Sequence, residues 1–211
     1  MADLDRALRD ELGSLGKDHA AAVGGQLAAA IALLDDDPDA AYRHALAARR
    51  RAGRLGGVRE VMGIAAYKTG KYAEALAELR AARRMTGRPD FLPVIADAER
   101  GLGRPERALA VGAEPDAKRL DAEGQVELRI VLAGARRDLG QPQAAVALLE
   151  GKDLDPAGVE PWTVRLWYAY ADALLAAGRN EDARRYFGAA AEADEDGETD
   201  AAERLVQLDS G

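Results

Sequence analysis

"ALLAAGRNEDARRYF", residues 173–187, sets one glycine and four polar residues between two apolar runs rich in alanine. The same phrase recurs as "AYKTGKYAEALAEL" at 66–79, "ERGLGRPERALAV" at 99–111 and "RRDLGQPQAAVALL" at 136–149. Each has an apolar stretch, a glycine, a polar pair and then an alanine that opens a second apolar stretch. The turn glycines Gly70, Gly103, Gly140 and Gly178 are separated by 33, 37 and 38 residues, and "LLDDDPDAAYRHAL" at 33–46 places another turn about one period earlier. A fixed period of this length marks stacked structural units.

The chemistry of the phrase says what each unit is. A glycine after a helix adopts the left-handed conformation that ends it without steric penalty. A proline two residues later, as in "GRPERAL" and "GQPQAAV", suits the first turn of a new helix, where its missing N–H leaves no bond unmade. Each unit is then a helix, a tight turn and an antiparallel helix. One pair cannot bury its own apolar face, so neighbouring pairs must stack. Apolar residues make up 48% of the chain but aromatics only 5%, so the core is built from small aliphatic side chains at close range, as helix-on-helix packing requires. The expected class is all-α.

The spacing and the occupied positions resemble the tetratricopeptide repeat, a helical hairpin of about 34 residues. In the last unit Trp167, Tyr170, Ala171 and Leu174 fall where that motif has large, large, small and large residues of its first helix. Ala183, Phe187 and Ala190 match the small, aromatic and small positions of its second. Around Gly70 the equivalents are Met62, Gly63 and Ala66, then Ala75, Leu79 and Ala82. The middle units depart from the pattern. Glu99, Arg129 and Arg136 stand where apolar residues belong, and Gly112 and Pro115 cut one second helix short. The first unit is alanine in most slots, at Ala29, Ala41, Ala45 and Ala48.

The resemblance implies an α-solenoid, a right-handed superhelix of about five helix pairs whose first helices line a concave groove. It divides the chain into an N-terminal helix or arm at 1–19, a repeat domain at 20–194 and an acidic, flexible extension at 195–211, within which "DAAERLVQL" is a candidate helix. A narrower likeness, carried by "LLDDDPDAAYRHALAARRRAGRLGGVRE" and "ERGLGRPERAL", is to a group of actinobacterial repeat proteins with an acidic C-terminal extension. It implies a cytoplasmic location and a chain trimmed from something longer.

Composition narrows the chemistry. The chain has no cysteine, which excludes disulfides, thiolate metal sites and a cysteine nucleophile. Its first residues lack the basic start and apolar centre of a secretory signal, and no apolar run approaches about 18 residues, so a soluble, cytoplasmic protein without membrane contact is expected. Of the net charge of −8, most lies in residues 192–211, where eight acids face only Arg204. The remainder is nearly neutral, which argues against a dedicated binder of phosphate backbones.

Only His19 and His44 are available to carry protons at neutral pH, and neither has a nucleophile at a useful spacing. The acids Asp35, Asp36, Asp37 and Asp39 lack the glycine and terminal glutamate of a calcium loop, and an aspartate cap before Pro38 explains them better. "GRLGGVRE" lacks the lysine–serine pair of a phosphate loop. No catalytic residue, metal, cofactor or small-molecule substrate is therefore expected.

A protein or peptide partner, or a second copy of the chain, is expected instead. The groove residues implied by the resemblance are Ile64, Tyr67, Lys68, Asp97, Arg100, Ile130, Arg137, Tyr168, Asp172 and Leu175, with Trp162 and Tyr168 as aromatic anchors. The alternative for these is an ordinary solvated face. The lysine and asparagine clamp by which some tetratricopeptide domains hold a chaperone's C-terminus is missing, since Glu60, Ile64, Pro93 and Asp97 stand at those places. Six arginines without an acid among them, Arg43, Arg49, Arg50, Arg51, Arg54 and Arg59, form a basic patch. They read either as a solvated helix C-terminus or as an anion-binding cluster, and an RNA-binding helical repeat is the alternative function they support.

Overall fold

A computed structural model describes residues 4–154 and 160–209. Residues 1–3 of the expected arm, 155–159 within the expected repeat domain and 210–211 of the extension lie outside the described residues. The described residues form twelve α-helices, packed in consecutive pairs, and divide into two compact units, 1–103 and 104–211. None of these helices is long and apolar enough to cross a membrane.

The first unit holds α1 (Arg6–Leu12), α2 (Lys17–Ala32), α3 (Pro38–Ala52), α4 (Gly56–Lys68), α5 (Tyr72–Thr86) and α6 (Leu92–Gly101). Here α2 packs with α3 and α4 with α5, while α3 touches α4 and α5 touches α6. Asp37 starts α3 by accepting the Ala40 N–H at 2.9 Å, with Pro38 directly after it. This is the capping role expected of the aspartate run. The N-terminal helix belongs to the core: Leu4, Leu8 and Leu12 pack with Val23, Leu27, Ala48, Ala52 and Val58.

The second unit holds α7 (Pro105–Gly112), α8 (Ala122–Asp138), α9 (Pro142–Leu149), α10 (Thr163–Ala176), α11 (Asn180–Ala193) and α12 (Ala201–Asp209). In it α8 packs with α9 and α10 with α11, and α7 touches α8. As expected, α7 ends at Gly112 and is followed by a 3-10 turn at Pro115–Arg119. The candidate helix of the extension is α12, which packs on α11 and buries Ala201.

All four turn glycines take positive φ, between 69° and 78°. Behind three of them the next residue's N–H reaches back five positions, Lys71 to Ala66, Gln141 to Arg136 and Arg179 to Leu174, each at 2.9 Å. This closure satisfies carbonyls that the helix end leaves open, so the turn is set locally by glycine.

The aliphatic core follows the repeat positions. Met62, Ala66, Ala75, Leu79, Ala82, Ala171, Leu174, Ala183, Phe187 and Ala190 are fully buried, with Trp167 and Tyr170 nearly so. A methyl on Gly63 would run into the Leu79 side chain, which explains a glycine in mid-helix: α4 and α5 meet there too closely for any side chain. Ala29 is a correction. It is only half-buried, and the neighbouring Ala30 fills the core instead. Along "LAAAIA" three successive alanines offer nearly the same volume, so the apolar pattern does not fix which one points inward.

The three residues that broke the pattern have polar answers. Glu99 is fully buried on α6 and takes the Arg80 guanidinium at 2.6 Å. Arg129 pairs with Asp153, and Arg136 donates to Gln141 Oε1 at 2.7 Å.

Candidate functional site

The expected groove residues lie on four helices: Ile64, Tyr67 and Lys68 on α4, Asp97 and Arg100 on α6, Ile130 and Arg137 on α8, and Tyr168, Asp172 and Leu175 on α10, with Trp162 directly before α10. Within each unit the structure brings several of them together.

In the first unit the Tyr67 hydroxyl donates to Asp97 Oδ2 at 2.5 Å, and Arg100 holds the other oxygen of that carboxylate at 2.8 Å. Burial, together with the hydrogen bond to Asp97, pushes the Tyr67 phenol well above its ordinary range. Lys68 is exposed and pairs with Asp35 at 2.6 Å, while Ile64 is half-buried. In the second unit the Asp172 carboxylate sits between two guanidinium groups. Arg137 of α8 reaches Oδ2 and Arg204 of α12 reaches Oδ1, both at 2.7 Å. Arg204 also donates to the Tyr168 hydroxyl at 3.2 Å. Burial, then the neighbouring carboxylates of Asp200 and Asp172, push the Tyr168 phenol up to about 12.

The aromatic anchors are largely engaged. The Tyr168 ring stands edge-on to Phe187 with centroids 5.5 Å apart, and Trp162, Ile130 and Leu175 are half-buried against the core of the second unit. A partner would meet ring edges and aliphatic flanks on this surface, since its charges are already paired with one another.

These polar contacts share a spacing. Partners lie 30 residues apart for Tyr67 and Asp97, 33 for Lys68 and Asp35, 35 for Arg137 and Asp172, and 32 for Arg204 and Asp172. Second helices show the same interval, with Tyr42 and Glu74 separated by 32. Each is close to one period of the sequence phrase.

The arginine patch lies elsewhere. Arg43, Arg49, Arg50 and Arg51 are on α3, a second helix; Arg54 is in the turn after it, and Arg59 is on the first turns of α4. The groove residues of this unit lie on α4 and α6. One carboxylate oxygen of Glu78, on α5, takes both Arg49 at 2.9 Å and Arg59 at 2.8 Å. His44 shares a 2.7 Å hydrogen bond with Gln26.

Sequence reading missed Arg204 and Glu78 as organising residues. Both carried a usable signal, since Arg204 follows Asp172 by 32 residues and Glu78 follows Arg49 by 29. No protein-family model matches the chain, and no curated protein is significantly similar to it.

Proposed function

We propose that the chain is a non-enzymatic scaffold of tetratricopeptide-like helix pairs, stacked as an α-solenoid, which holds an extended or helical segment of another protein along its first helices. The supporting observation is that Ile130 of α8 and Tyr168 and Leu175 of α10 are each half-buried against the core of the second unit, where Asp172 of α10 pairs with Arg137 and Arg204. Apolar anchors with a paired polar border suit a peptide better than a phosphate backbone. His44, bonded to Gln26, supports a structural role for that ring in place of proton transfer.

The test is affinity capture from the source cell with wild type and with Leu175→Glu. Ile130→Asp serves as a second variant, and both are checked for an unchanged helical signal and melting temperature. Loss of one specific protein in folded variants supports the reading. An identical retained set, or no retained protein with wild type, contradicts it.

A further inference from the structure

Where the turn between α1 and α2 faces the end of α3 and the start of α4, an open cavity of about 550 Å3 is lined by Arg49, Arg50, Arg51, Arg54 and Arg59, with His19 at its edge. We propose that this cavity binds an oligophosphate group, the di- or triphosphate portion of a small molecule.

Two of the five guanidinium groups are fixed before any ligand arrives. Arg49 and Arg59 converge on a single oxygen of Glu78, and Arg59 Nε also donates to the Gly53 carbonyl at 2.8 Å. One carboxylate thus orients two cations and neutralises only one. Gly53 has an ordinary φ of −67°, so backbone conformation does not require glycine there. A methyl at that position would collide with the Arg49 guanidinium and with the Arg49 carbonyl, so the glycine keeps the space that this guanidinium fills.

The other three, Arg50, Arg51 and Arg54, are exposed, and among the described residues none has an acidic partner within ion-pair distance. Five arginines against Glu78 leave four uncompensated positive charges around one cavity, in a chain whose net charge is −8. The negative end of α3 accounts for Arg49, Arg50 and Arg51, which occupy its last turn. It does not account for Arg54, which lies beyond the helix, or for Arg59, which lies near the positive end of α4.

The lining selects the ligand. Guanidinium forks match phosphate oxygens two at a time, and adjacent phosphates carry roughly the opposing charge in a small volume. The non-polar lining residues are Leu15, Ala52, Gly53 and Leu55, and apart from the small His19 imidazole no aromatic ring offers a base the stacking platform that single-stranded nucleic acid sites use. The volume falls in the range of small-ligand sites.

Calorimetry at low ionic strength tests the proposal with tripolyphosphate, ATP and single-stranded RNA as probes, on wild type, Arg51→Gln/Arg54→Gln and a control, Arg6→Gln. The substituted side chains are exposed, so the fold is retained. Tripolyphosphate is expected to bind one per chain, with affinity reduced about tenfold or more in the double variant and unchanged in the control. ATP binding as tightly as tripolyphosphate identifies the phosphates alone as the ligand; tighter ATP binding identifies a nucleotide, and both support the site. Absence of tripolyphosphate binding, equal affinity in the double variant, or RNA binding far more tightly than tripolyphosphate overturns it.

Discussion

Arg80 and Lys68 each hold a carboxylate at 2.6 Å, yet their partners differ in what water can do for them. Glu99 is fully buried, whereas the side chains of Lys68 and Asp35 are 42% and 83% exposed. Withdrawing a cation from a buried carboxylate leaves a charge that solvent cannot reach, so Arg80→Ala is expected to cost about 3 kcal/mol in urea unfolding. Lys68→Ala is expected to cost under about 0.5 kcal/mol, since water replaces the pair. Glycines allow a second contrast. Gly178 holds φ at +78°, and Gly178→Ala is expected to destabilise by about 1 kcal/mol. Gly188 lies inside α11 with open space around its Cα, and Gly188→Ala is expected to stabilise by about 0.5–1 kcal/mol in the same assay. At this scale the turn glycines were readable from sequence because one backbone conformation demands one residue type. Glu99 was not: a buried acid is tolerated only through a guanidinium on another helix, which the local pattern does not display.

Among the elements, α12 carries the most consequence for the site. Arg204 reaches from it to Asp172 and Tyr168, and Leu205 and Leu208 pack on the core of the second unit. The acidic composition of the last twenty residues hid this, since one arginine among eight acids reads as solvated chain. The Tyr168 phenol gives α12 a spectroscopic reporter. Its folded value is raised from the ordinary 10.0 to about 12, so the fold favours the neutral phenol. The stability this contributes is fully present below pH 10 and is lost as pH rises through about 12. In a tyrosinate absorbance titration, Tyr168→Phe is expected to remove one late-titrating group and to lessen the alkaline loss of stability in that window. An unchanged titration curve would show that α12 does not enclose the hydroxyl. The register of α2 was the element sequence placed least well, because consecutive alanines give the helix no preferred side. That of α10 was placed best, because Trp167, Tyr170 and Leu174 differ so much in bulk from their polar neighbours.

Over the whole chain the charge divides as the units do. Residues 1–103 hold 16 basic and 15 acidic residues, whereas 104–211 hold 13 and 22. The arginine cavity therefore lies in the unit that is close to neutral, and its local charge stands out against a background of about zero. The groove candidates came from repeat spacing and were brought together within each unit by contacts at that same spacing. The cavity needed three dimensions, because the turn after α1 that lines it with the arginines is remote from them in sequence.

Stacking of each helix pair on the next is tested most directly at Phe187. Its ring is fully buried in a cluster that joins Ala145 and Leu149 of α9 to Leu174 of α10, and Phe187→Ala is expected to cost about 3–5 kcal/mol. Hydrogen exchange measured helix by helix in this variant is expected to show lost protection in α10, α11 and α12 and also in α8 and α9, which contain no substitution. Full protection of α8 and α9 beside an opened α10 and α11 would contradict the account.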